Sequence, residues 1–153
     1  MRILLVSFVL FANISLAGTP DLKLVRSMLE KASTEESSCR KLIKILEPYN
    51  KENGTLFFGY KACATMIMAQ FVFNPFSKIS YFKKGRNMLE SSIAADPENI
   101  ELRLLRFCTQ LDIPSFLGYN GNLKEDKQFL LDSLSSVEEN DLKVMISENL
   151  KRI

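Results

Sequence analysis

The 153-residue chain contains no histidine and no tryptophan, and it has only three cysteines, six glycines and five prolines. Without histidine, the usual general base and the commonest metal ligand are both missing, so Ser-His-Asp and Cys-His arrangements are excluded. Cys39, Cys63 and Cys108 form no CxxC pair, and without histidine they complete no zinc pattern. A Gly-rich phosphate loop and a calcium-loop pattern are absent too. The chain therefore reads as a non-enzyme, with no catalytic residue, no metal and no cofactor implied. An excess of one charge is also missing, at 20 basic against 18 acidic residues. That balance argues against nucleic acid or an anionic membrane surface as the main partner.

What is present begins with a leader. Met1-Arg2 supplies a positive start, Ile3 to Phe11 an apolar run broken only by Ser7, and Ser15-Leu16-Ala17 the small residues a signal peptidase needs. The pattern predicts a secretory signal peptide over residues 1–17. The apolar run is too short for a bilayer core of about 30 Å. Removing Arg2 from the 20 basic residues leaves 19 against 18 acidic, a net charge of +1 for residues 18–153. An exported chain accommodates either three free thiols or one disulfide with a thiol left over. The sequence does not choose a pair, and free thiols packed as small apolar groups are the default expectation.

Residues 18–153 are expected to form one all-helical domain of about seven helices. Thr19-Pro20-Asp21 predicts a first helix over 20–32, and Ser33 to Glu36 opens a second, ended by Pro48, Asn50, Asn53 and Gly54. Thr55 to Phe73 follows, nineteen residues with the single charge Lys61. A helix apolar on every side is a bundle's central helix or a membrane span. The amphipathic helices around it need a core to pack on, which favours the central helix. Asn74-Pro75 starts the fourth helix, where Gly85 in the middle points to a close helix crossing. Asp96-Pro97-Glu98 predicts the start of the fifth. Asn122 and Glu125 have capping-box spacing for the sixth, after the loop Pro114 to Gly121, and Asn140-Asp141 opens the last.

Lys83 to Asn99, KKGRNMLESSIAADPEN, resembles the second helix and closing proline of a tetratricopeptide repeat, with Gly85 and Ser92 at small positions, Leu89 at a large one and Pro97 at the end. The Asn74-Pro75 break falls early and the consensus tryptophan and tyrosine are absent. The resemblance therefore implies a degenerate repeat-like superhelix. The segments NPFSKISYFKKG, IELRLLRFCTQLDIPSFLGYN and LKEDK are also similar to small exported helical proteins of Bacteroidota. That likeness implies a Gram-negative periplasmic location and no activity.

Candidate partner-binding residues follow from the helical spacing. Arg103, Arg106 and Gln110 align on one side of the fifth helix, and Lys78, Tyr60 and Asn120 are candidates to join them. Two arginines on a stripe can clamp a carboxylate; the same stripe can also pair internally with Glu98, Glu101 or Asp126. Lys61, an amine among apolar residues, either has a lowered pKa or reaches the domain edge. The leading expectation is a periplasmic adaptor or scaffold binding a protein or peptide. The alternative is a small-ligand binder or enzyme with an apolar pocket between residues 55–73 and the loop 114–121, lined by Phe116 and Tyr119. The oligomeric state is left open.

Overall fold

The computed structural model describes residues 18–153, and the leader expected over residues 1–17 lies outside them. Every regular element among the described residues is helical: α1 (Leu22–Ala32), α2 (Glu36–Ile45), α3 (Thr55–Ile67), α4 (Pro75–Ala95), α5 (Ile100–Asp112), α6 (Leu123–Ser133) and α7 (Asn140–Leu150). None of them is long and apolar enough to cross a membrane.

The α3 helix is the centre of the first half, touching α1, α2, α4 and α5. Its middle, from Ala62 to Met66, is buried. Gly59 and Gly85 make the closest packing possible. A Cβ on Gly59 would lie 2.3 Å from Leu102 Cδ2, and one on Gly85 would lie 2.6 Å from the Ala62 carbonyl oxygen and 2.8 Å from the Met66 nitrogen. The α3–α4 crossing is therefore a backbone-to-backbone contact that only glycine permits.

The α-helix stops at Ile67 and tightens into a 3-10 turn over Met68–Gln70, so it is shorter than the apolar run that predicts it. Asn74-Pro75 forces the reversal. The Asn74 side chain accepts from the Phe76 N–H at 2.8 Å, proline takes the first helical position, and Phe73 is left in solvent. Other helix starts differ from the expected ones. The first helix begins at Leu22 and not at residue 20, and Asp21 caps it by accepting from the Lys23 N–H at 3.1 Å. Asn99, not Asp96, caps α5 by accepting from the Leu102 N–H at 3.1 Å, and the carboxylate of Asp96 accepts from the Asn99 side chain instead. The Asn122 side chain does not cap α6.

Two apolar clusters lie on either side of α5. Leu102 and Leu105 belong to the cluster built on α1 to α4, whereas Leu104 and Phe107 join Leu130, Val137, Leu142 and Ile146 of the α6–α7 half. The odd-numbered helices run in one sense. Their starts gather through Lys23–Asp141 and Arg26–Glu101, and their ends through Gln70–Ser33 and Arg152–Asp112.

Candidate functional site

Three arrangements carry the charged side chains. The first joins α5 to α6. Asp126 is fully buried one turn into α6 and receives both guanidinium groups of the α5 stripe. Arg103 Nε donates to Asp126 Oδ1 at 2.5 Å; Arg106 Nε and Nη2 donate to Oδ2 and Oδ1 at 2.6 and 2.7 Å. The outer nitrogens reach Glu125 at 2.6 Å and Glu90 at 3.0 Å. Arg103 also stacks 4.5 Å from the centre of the Phe129 ring. Burial works against the charge on Arg106, but the hydrogen bond and charge of Asp126 outweigh it and hold the group protonated. Gln110 is buried on the same stripe, and its Nε2 donates to Asn122 Oδ1 at 3.4 Å. Its Oε1 has no protein partner.

The second arrangement joins α1, α3, α5 and the start of α7. Arg26 donates to both carboxylate oxygens of Glu101, at 2.7 and 2.8 Å, and to Glu139. The hydroxyl of Tyr60, on the buried face of α3, donates to the same Glu101 oxygen that accepts from Arg26 Nε. Burial pushes the Tyr60 phenol up, and the adjacent Glu101 charge adds to the shift. Glu101, one of the internal partners considered for the arginine stripe, thus pairs with Arg26 instead, while Asp126 takes Arg103 and Arg106. Arg26 does not stand out in the sequence, because a charge on a short amphipathic helix is ordinarily read as solvated.

The third is an open groove of about 1000 Å³ along the inner side of the odd-numbered helices. Buried Cys63 and Met66 of α3 and Leu104 and Leu105 of α5 line it, together with half-buried Leu29, Cys108 and Met145 and exposed Ile79 and Phe116. Phe116 belongs to a 3-10 turn closed by Gly118 at φ 64°, a conformation that glycine adopts without cost. Lys23–Asp141 at 2.9 Å ties α1 to α7 beside this space.

The candidate residues are thus spread over different surroundings. Arg103, Arg106 and Gln110 are together but buried against α6, on the side of α5 that faces away from the groove residues Leu105, Cys108 and Asp112. Tyr60 is in the core, Asn120 is exposed before α6, and Lys78 is exposed at the groove. The Lys61 ammonium donates to the carbonyls of Glu47, at 3.2 Å, and Tyr49, which follow the end of α2. Burial lowers its pKa, and those carbonyls at the negative end of a helix are what hold it. Tyr119 does not line the groove as expected: its hydroxyl turns to Glu90 Oε1 at 2.5 Å.

All three cysteines are free thiols. Burial pushes Cys39 up to about 11 and Cys63 and Cys108 up to about 12, so all three are poor nucleophiles at neutral pH. Among the described residues no group of acidic, cysteine and histidine side chains is placed to hold a metal ion. No family model, curated protein or solved structure matches the chain.

Proposed function

We propose that the protein is an exported, periplasmic adaptor without enzymatic activity, and that it seats an apolar helical segment of a partner protein in the groove. The observation that carries this reading is the groove itself. Its lining is mostly apolar and it is open to solvent, and a volume of about 1000 Å³ accommodates about two turns of a helix 10–12 Å wide. An apolar lining with polar edges is the arrangement in which an amphipathic helix lies down through residues at i, i+3, i+4 and i+7. The paired charges of Lys23, Asp141, Asp112 and Arg152 line the edge and supply the polar rim such an interface has. On this reading the odd-numbered helices are the concave face of a short repeat-like superhelix, and nucleic acid is not a partner.

Selection of binders from a randomised amphipathic-helix library tests the proposal, with the Met145→Asp and Ile79→Asp variants used for counter-selection. Sequences enriched on the wild type and lost on both variants support it. No enrichment over the variants overturns it. Saturable binding of a long-chain fatty acid with no helical peptide enriched replaces it by the small-ligand reading, for which the buried lining at Cys63, Met66 and Leu105 is the supporting feature.

A further inference from the structure

Between Glu52 and Glu90 the chain has no aspartate or glutamate, yet it carries Lys61, Lys78, Lys83, Lys84 and Arg86. The near-neutral balance of the whole sequence averages this away. The fold uses two of these cations internally, placing Lys61 on the carbonyls after α2 and Arg86 over the Phe82 ring at 5.8 Å. Lys78, Lys83 and Lys84 remain exposed, and none enters an ion pair among the described residues.

The turn before α4, the first turns of α4 and the loop tip at Phe116 show large apolar side chains to solvent. Phe73 is 97% exposed, Phe76 83% and Phe116 84%, with Ile79 nearly half exposed. Phe76 and Ile79 are three residues apart on the first turns of α4 and therefore share a face. Ile79 and Phe116 line one groove, and Phe73 stands just before the Asn74-Pro75 helix start. Exposed rings gathered in this way mark a surface that something else covers.

The chemistry around them narrows what that is. Every free cation is a lysine, a compact point charge on a flexible stem, with no guanidinium fork aimed at one carboxylate geometry. Apolar rings at the start of α4 with lysines on the first half of the same helix, and no acid in the segment, match a surface that is anionic outside and hydrocarbon beneath. We infer that the start of α4, together with the loop tip at Phe116, docks on an anionic lipid surface. The phenylalanines enter the boundary between headgroups and acyl chains, and Lys78, Lys83 and Lys84 face the phosphates. This docking does not depend on what fills the groove, but it turns the exposed Ile79 and Phe116 of the groove lining towards the bilayer.

Vesicle sedimentation tests the inference, using the chain from Gly18 onward, which contains every helix and both apolar clusters described above. Expected is partition onto phosphatidylglycerol vesicles at low salt, weak partition onto phosphatidylcholine, and loss as salt rises. Each Lys→Gln change at 78, 83 or 84 lowers the partition about fivefold. The double variant Phe73→Ser/Phe76→Ser lowers it by about a hundredfold or more. All of these positions are exposed, so a thermal melt like that of the wild type keeps the comparison clean. Equal binding to both lipids, or binding unchanged by the phenylalanine variants, overturns the inference. So does failure to bind vesicles by a chain that self-associates through Phe73 and Phe76 or binds an acidic polypeptide through its lysines. These results would give the face to a second copy or to an acidic protein.

Discussion

Arg106 and Asp126 meet in a two-bond fork, Nε to Oδ2 at 2.6 Å and Nη2 to Oδ1 at 2.7 Å, with Arg103 adding a third bond to the same carboxylate. One buried anion thus holds two buried cations and fixes α6 on α5. Replacing Asp126 with alanine leaves both guanidinium groups facing a lost partner, and a destabilisation of about 3–5 kcal/mol is expected. Urea denaturation followed by circular dichroism measures it, and a loss below about 1 kcal/mol would show that Glu125 and Glu90 hold the arginines without Asp126.

Gly85 gives a prediction that runs against intrinsic helix preference. Alanine in a helix interior is favoured over glycine by about 1 kcal/mol. At this position the new methyl would meet the Ala62 carbonyl and the Met66 nitrogen, and backbone cannot swing aside. Gly85→Ala is expected to lower stability by about 1–3 kcal/mol. A stabilised variant in the same denaturation assay contradicts the crossing described here.

The acid limb of stability has a definite sign. Hydrogen bonds to Arg26 and Lys23 hold the Glu139 and Asp141 carboxyls below their ordinary values of 4.5 and 3.8. A group depressed in the folded state contributes its stability above the unfolded value and loses it as pH falls through the folded one. The melting temperature is therefore expected to be level down to about pH 5 and to fall below about pH 4. In Lys23→Gln the Asp141 share of that fall disappears. An identical acid profile for the variant would remove the Lys23–Asp141 tie from the account.

The alkaline limb has the opposite sign. Burial raises the Tyr60 and Tyr119 phenols above their ordinary 10.0, and Glu101 and Glu90 push them further. Stability from these groups is complete below pH 10 and is lost as pH rises through the folded values. Absorbance at 295 nm should show Tyr60 and Tyr119 ionising only together with unfolding. Smooth ionisation of all four tyrosines in a chain still folded would contradict their burial.

The thiols follow the same logic. With Cys63 and Cys108 pushed up to about 12 and Cys39 to about 11, the native protein should react with a disulfide reagent at pH 8 at least about tenfold slower than a free cysteine. Denaturant should release all three. Fast titration of one native thiol would place that cysteine in water.

Much of the helical plan was legible in the sequence. Asn74-Pro75 reads as a cap and first turn because its chemistry is local, and Gly85 reads as a crossing because only a packing reason offsets its cost. The α3 centre follows from an apolar circumference that needs neighbours. The α5 start is ambiguous in the sequence because Asp96-Pro97 and Asn99 are both credible caps, and only the geometry shows that Asp96 is engaged by the Asn99 side chain. The two-sidedness of α5 is not carried by a single apolar stripe, since Leu102 and Leu105 face one cluster and Leu104 and Phe107 the other. Arg26 gave no signal at all: its burial depends on three distant helices. The groove is legible in part: an apolar space between residues 55–73 and the loop 114–121 is expected and Phe116 lines it, but the shares of α1, α4 and α7 are not, because concavity is not a period in the sequence.

Arg26 lines the groove, and it shares the Glu101 carboxylate with the Tyr60 hydroxyl. A molecule settling against Arg26 alters the charge felt by that phenol. In a chain without tryptophan, tyrosine emission has no brighter neighbour to mask it, and a carboxylate bound to the hydroxyl quenches it. Occupancy of the groove should therefore be readable as light from the opposite side of Glu101, with no label attached to the protein.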